Sequence, residues 1–389
     1  MTTRELDRIL ETLLLSHDGI SDVLFSVGRP LQVEAFGVLK PVVFEPEIHS
    51  LSPFQTEQVA LAIIGNHPRL LHDLHATGSC DTSYALGMLA RFRVNVFRQR
   101  GSLSVVMRKL QSEIPTIEGL GLPPIFRQVA REKNGLVLVT GATGHGKTTS
   151  LATILAEVNE TQPVHVVTLE DPIEYSHANH LATFSQRELG IDFSTYPSGL
   201  RAALRQAPKM ILVGEMRDRE TIEVALRAAE TGHLVFTTLH TVDAGQSIHR
   251  ILGMFGPSEE KHIRTRLSDV LRWVISQRLV SKTGGGRHLL MEIMGSNLRT
   301  REAIELGEAD DRTFYEIIEA SSQYGWCTFD QSILRSYERG VISEETAMLY
   351  ASRKGRVMRE IDLMKKMRSG MAEGESGLKM DLATLNRKF

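Results

Sequence analysis

Eight consecutive residues, Gly141-Ala142-Thr143-Gly144-His145-Gly146-Lys147-Thr148, fit the pattern G-x-x-x-x-G-K-[ST]. The chemistry this spacing serves is the holding of a polyphosphate. Glycines let successive backbone N–H groups turn toward phosphate oxygens, and a helix opening at the end of the loop adds its dipole. Lys147 reaches the β and γ oxygens, Thr148 offers a hydroxyl to Mg²⁺, and Thr149 completes the nucleotide-binding stretch. Carboxylates stand at two further places. Met210-Ile211-Leu212-Val213-Gly214-Glu215 is an apolar run delivering an acid, and Thr168-Leu169-Glu170-Asp171-Pro172-Ile173-Glu174 places three acids within five residues. Glu215 is the Walker B candidate for Mg²⁺, and as Glu rather than Asp it suits contact through water. A carboxylate of the second segment could orient and deprotonate a water attacking the γ-phosphate. Alone, acids after a strand are ordinarily solvated loop residues; the glycine loop changes their weight. His233 and His240 bracket another apolar run, but a seven-residue spacing carries no metal signature, so chemistry alone favours packing or surface roles for both.

These groups need elements to place them. From Gly135 the sequence alternates short apolar runs with helical segments, the pattern of a parallel sheet and of the α/β class. Strands are expected over Leu136–Thr140, Val164–Leu169, Met210–Val213 and Leu234–Leu239, with the glycine loop between the first of them and a helix. Leu151, Ile154, Leu155 and Val158 recur at helical spacing in that helix, and Asp218 can cap another that runs to Thr231 before Gly232 stops it. Pro172 should halt the strand before it. Beyond Gly286 the sequence reads as mainly helical, with a helix over Val357–Met367 and a final twenty residues disordered until they meet a partner. The first hundred residues read as a smaller α/β unit with an opening amphipathic helix. Ala90–Phe97 alternates like a strand, with Arg91 and Arg93 on one face and Arg98 just beyond. Breakers are dense over 109–124 (Pro115, Gly119, Gly121, Pro123, Pro124), as in a hinge.

Composition excludes several classes. A chain of 389 residues, 42% hydrophobic and 24% charged, is long enough for two or three folded domains. Its apolar runs fall short of the ~20 residues of a membrane-crossing helix, and its start does not read as a secretory signal. A cytoplasmic protein is therefore expected. Cys80 and Cys327, far apart, suggest neither zinc nor redox chemistry. Net charge is −2, weak support against a protein dedicated to nucleic acid. The segment from Ala351 carries about +5 and the rest about −7, a bias that ordinarily marks a solvated helix or a surface contact.

Four segments in order, GATGHGKTTS (141–150), TLEDPIEYSH (168–177), ILVGEMRDRET (211–221) and AAETGHLVFTTLH (228–240), resemble the secretion ATPase superfamily, specifically its PilT/PilU-type pilus retraction ATPases. The resemblance runs from about residue 15 to 345 and takes in ARFRVNVFRQRG (90–101) and VISQRLV (274–280). It implies a PAS-like α/β domain at 1–108, a hinge at 109–124, a RecA-like P-loop core with C-terminal helices at 125–355 and a charged tail at 356–389. By this resemblance Lys147 and Thr148 look like the Walker A phosphate and Mg²⁺ residues, Glu174 like the catalytic glutamate and Glu215 like the Walker B acid. His233 and His240 look like a pair that senses the nucleotide, and Arg91, Arg93 or Arg98 like arginines lent to it. The resemblance further implies ATP and Mg²⁺, a ring of six identical subunits, and a platform protein of the inner membrane as partner, with the motor peripheral to that membrane's inner face.

Two cysteines are too few for the four-cysteine zinc site common in the longer extension motors, which favours retraction. Two departures bear on the role. Leu298–Glu305 stands where the PilT group has an AIRNLIRE-like motif, and Ala142 and His145 stand where many members have Pro and Ser. A PilU-like accessory motor, sharing its work with a related retraction ATPase, is therefore a second reading. Other readings are a secretion motor on another filament, an ATP-binding regulatory subunit that does not hydrolyse, and a DNA-handling RecA-like ATPase.

Overall fold

The computed structural model describes residues 1–44, 48–87, 89–110, 113–309 and 312–376. The chain opens on α1 (Thr3–Ser16), started by a capping box in which Glu5 N–H donates to the Thr2 hydroxyl and Thr2 N–H to the Glu5 carboxylate. Leu6, Leu10 and Leu13 lie on one face of it and are fully buried. There follow β1 (Ile20–Phe25), β2 (Gln32–Ala35), β3 (Val38–Pro41), α2 (Pro53–Ile64), α3 (Pro68–Thr77), β4 (Ser79–Leu86), β5 (Ala90–Gln99) and β6 (Ser102–Lys109). The six strands pair antiparallel in the order β3-β2-β1-β6-β5-β4. The expected alternation holds in β5: Ala90, Phe92, Val94 and Val96 are buried in the core, and Arg91 and Arg93 take the other face.

Strand and helix then alternate: α4 (Ile125–Ala130), β7 (Gly135–Thr140), α5 (Lys147–Thr161), β8 (His165–Glu170), β9 (Thr183–Glu188), α6 (Tyr196–Ala203), β10 (Met210–Val213), α7 (Arg219–Glu230), β11 (Leu234–Leu239), α8 (Ala244–Leu252), α9 (Pro257–Val270). The hairpin β12 (Leu271–Ser281) and β13 (Arg287–Gly295) precedes α10 (Leu298–Leu306), α11 (Phe314–Glu319), α12 (Phe329–Glu338), α13 (Glu344–Tyr350) and α14 (Lys354–Ser376). By packing, the chain divides into two compact units, Met1–Arg131 with Leu151–Gly214, and Glu132–Ser150 with Glu215–Phe389. The first holds the antiparallel sheet and a parallel ladder β10-β8-β9. In the second, β11-β7-β12 run parallel and β13 pairs antiparallel to β12.

The four strands expected from apolar runs lie within one residue of their expected places. Asp218 caps α7, its carboxylate accepting from Thr221 N–H at 2.9 Å, and Gly232, at φ 97°, follows the helix end. One expectation is corrected. The segment just beyond Gly286 is the strand β13, not helix. Its run His288–Met294 is apolar almost throughout because its later residues are buried, and such a run does not separate strand from helix by period. The hairpin's Gly284, Gly285 and Gly286 all have positive φ and turn the chain back. The helix expected over Val357–Met367 is α14, which is longer at both ends. Of the final twenty residues, 370–376 are helical, and the expectation of disorder from 377 onward lies outside the described residues. No helix among the described residues is long and apolar enough to cross a membrane.

Candidate nucleotide site

The register of the second unit sets Thr140 level with Leu239 on β11 and Ser276 on β12. The buried Thr140 hydroxyl donates to Ser276 Oγ at 3.0 Å, so the strand end from which the glycine loop departs is tied to its neighbour. Gly141, Gly144 and Gly146 take φ of 142°, 80° and 82°, backbone that side-chain-bearing residues rarely adopt. A Cβ on Gly141 would stand 2.5 Å from the Gln277 carbonyl oxygen, so only glycine fits there. That same carbonyl lies 3.1 Å from His145 Nδ1, and the Gln277 side-chain amide donates to Ser150 Oγ at 2.6 Å. Lys147, only 8% exposed, donates from Nζ to the Gly141 and Ala142 carbonyls at 2.7 and 3.0 Å. The loop is folded around its own lysine. Thr143 and Gly144 form an exposed crest, and Lys147, Thr148 and Thr149 open the fifteen-residue α5, whose first N–H groups have no partner within the helix. A buried ammonium, glycine-only backbone and a helix N-terminus together fit a phosphate chain.

Glu215 lies two residues past β10, its side chain 13% exposed. Arg217 Nε is 2.5 Å from its Oε1, and His240 Nε2 is 3.4 Å from its Oε2. His240 follows the end of β11 that is level with Thr140. His233 stands at the other end: its Nδ1 is 3.0 Å from the Ala228 carbonyl and its own carbonyl accepts from Gly135 N–H. Seven residue steps of ~3.3 Å each separate the two histidines by upward of roughly 20 Å. The structure thus brings His240 to Glu215 and leaves His233 closing the C-terminal end of α7. Thr148 and Glu215 supply hydroxyl and carboxylate oxygens, the hard donors that suit Mg²⁺.

The other acids belong to the first unit. Glu170 closes β8 and is buried; its Oε1 accepts from Thr168 Oγ1 at 2.6 Å and Gln186 Nε2 at 3.2 Å. Burial pushes its carboxyl up to about 7, those two hydrogen bonds oppose the rise, and the Glu174 charge adds to it. Glu174 is exposed on an irregular loop. That loop is bonded to β9, with Ile173 N–H donating to Glu188 and His177 N–H to Gln186. Of the three arginines, Arg91 reaches this region, its Nη2 donating to Glu188 Oε2 at 2.5 Å, while Arg93 and Arg98 are exposed on β5. Ser276, Gln277, Arg217, Gln186 and Glu188 were missed in the sequence. A signal existed for Ser276 and Gln277, which with Arg278 interrupt the apolar run Val274–Val280; the almost wholly polar run Thr183–Glu188 carries none.

A parallel ladder running into a glycine turn with a buried lysine at the start of a helix defines a P-loop nucleotide-binding α/β protein. The chain belongs to the family described as Type II/IV secretion system protein, whose sequence model matches residues 83–369, and within it to the PilT/PilU-type secretion ATPases. It is 39% identical over 340 residues to the type IV pilus retraction ATPase PilT of Pseudomonas aeruginosa, covering 87% of this chain and 96% of that protein. To the type IV pilus ATPase PilU of the same organism it is 34% identical, covering 89% and 88%. Among solved structures, the pilus retraction motor PilT with bound ADP superposes with a TM-score of 0.79 at 38% identity, over 91% of this chain and 98% of that one. The Legionella pneumophila ATPase DotB superposes with a TM-score of 0.76 at 29% identity, over 90% and 95%. These matches bear out the expected PilT/PilU resemblance and a RecA-like core joined to an N-terminal domain.

Proposed function

We propose that this chain is the subunit of a homohexameric motor that hydrolyses ATP to drive retraction of a type IV pilus. The observation that carries the reading is the complete phosphate loop, with Lys147 buried at its centre, in a chain that covers 96% of a retraction ATPase. Backbone N–H groups of Gly141–Thr149 bind the phosphates, and Lys147 exchanges its two loop carbonyls for β and γ oxygens. Glu174, exposed on its loop, takes the proton of the attacking water as general base. Mg²⁺, held by Thr148 and Glu215, would neutralise charge on the phosphate oxygens when bound. His240 sits on the Glu215 carboxylate and reads its state; His233, at the far end of β11, is assigned no contact with the nucleotide of its own loop. Arg93 and Arg98 are available to a phosphate or to a neighbouring subunit.

The working division has a PAS-like domain at 1–108, a hinge at 109–124, the ATPase core at 125–355 and a tail from 356. Closure of the domains on ATP and their release after hydrolysis would convert turnover into motion. Force would pass to a platform protein of the inner membrane, with the motor at that membrane's cytoplasmic face. A second reading, an accessory motor working with a related retraction ATPase, is favoured by the 34% identity to PilU across 89% of the chain and by the altered segment Leu298–Glu305. Steady-state phosphate release tests the ATPase at the centre of both. Glu174→Gln should lower kcat about 10²- to 10⁴-fold with little change in KM. A wild-type rate no higher than the variant's would remove the motor reading. Deleting the gene separates the two: excess pili without surface motility marks a principal motor, and normal pili with altered force an accessory one.

A further inference from the structure

We propose that Gln186 and Glu188 on β9, with Arg91 behind Glu188, are positioning residues that hold the loop carrying Glu174. The proposal rests on the reading of Glu174 as the base. Residues 171–177 form no helix or strand, so where Glu174 stands is decided by what its neighbours' backbone groups are tied to. Three alternate residues are tied, all to side chains of one strand. Ile173 N–H donates to Glu188 Oε2 at 3.2 Å, the Tyr175 carbonyl accepts from Gln186 Nε2 at 2.8 Å, and His177 N–H donates to Gln186 Oε1 at 2.8 Å. Residues 186 and 188 share a face of β9, because side chains two apart on a strand point the same way. The loop therefore lies along that face as a strand would, with side-chain amide and carboxylate groups in place of a backbone ladder. Glu174 lies between two tied residues.

The clamp is itself held. Glu188 is 3% exposed, and a buried carboxylate is costly without a partner. Arg91 supplies one from β5 at 2.5 Å and is steadied in turn by Ser83 Oγ at 3.0 Å. Gln186 Nε2 also reaches Glu170 Oε1 at 3.2 Å, tying the clamp to the end of β8. All of these residues lie within one compact unit. Arg91, expected to reach a phosphate, is in this arrangement engaged with Glu188, and its effect on turnover runs through the loop.

The test uses the full chain. Phosphate release against ATP concentration and hydrogen exchange are measured for Arg91→Ala, Glu188→Ala, Glu188→Gln and Gln186→Ala, with Glu174→Gln alongside. The alanine variants should lose about 10- to 100-fold in kcat, with KM for ATP within about twofold. Exchange over 171–177 should speed up while the 141–150 segment is unchanged. Glu188→Gln keeps an acceptor for Ile173 N–H and should recover part of the rate, which guards against loss of folding as the explanation. A raised KM with unchanged kcat in Arg91→Ala, or unaltered exchange over 171–177 in Glu188→Ala and Gln186→Ala, would overturn the proposal. Intact turnover in Glu174→Gln would instead fell the base assignment, with exchange still deciding whether the clamp exists.

Discussion

Single side chains at this site do unequal work, and burial separates them. Glu170, and outside the site Glu292 on β13, are both pushed up to about 7, chiefly by burial; around Glu292, Ala244 N–H and the Arg278 charge oppose the rise and Asp243 adds to it. In the unfolded chain each would release its proton near the ordinary 4.5. The folded state therefore binds more protons between about pH 4.5 and 7, and the stability these groups contribute, full below 4.5, is lost as pH rises through 7. For Glu170→Gln that dependence should weaken, so the midpoint of thermal unfolding relative to wild type should climb from pH 5 to pH 8; a constant offset would contradict the assignment. The two histidines give a second contrast. His240→Ala should change ATP turnover by altering the surroundings of Glu215. His233→Ala should cost about 1 kcal/mol of stability from lost bonding at the α7 terminus and leave KM for ATP within about twofold. Equal effects of both on KM would show that the roughly 20 Å between them is not what decides their roles.

At the scale of elements, β12 is the brace of the phosphate loop. Its Ser276 ties the end of β7, and its Gln277 serves the loop through the backbone carbonyl and α5 through the side chain. Gln277→Ala leaves the buried Ser150 hydroxyl without that donor, so a loss of about 1 to 3 kcal/mol is expected in denaturant unfolding, together with weaker nucleotide binding. A fully stable variant that binds normally would show the brace to be incidental. This brace shows where sequence reading stopped. Strands β7, β8, β10 and β11 were legible because parallel strands buried at nearly every position leave continuous apolar runs. The loop was legible because its function fixes residue type at each step. Polar residues inside β12 and β9 were not, since their value depends on which strand lies beside them, and β13 looked helical because its burial erased the period of two. Glu174 was legible only by resemblance, as an exposed acid on an irregular loop has no local signature.

At the scale of the whole molecule, the phosphate loop and Glu215 are carried by one compact unit and Glu174 with its clamp by the other. On the proposed reading of Glu174 as the base, base and phosphate grip would be borne by different units, and chemistry would be coupled to movement as in hinge-closing enzymes. That account fails at its root unless the glycine loop grips a triphosphate. Calorimetric titration of the full chain with a slowly hydrolysed ATP analogue and Mg²⁺, beside Lys147→Ala, is the most direct test. The account predicts saturable binding by wild type and an affinity at least about 100-fold lower in the variant, the scale on which loss of a buried charge-assisted contact is felt. Equal affinity in the two chains, or no binding by wild type, would contradict it.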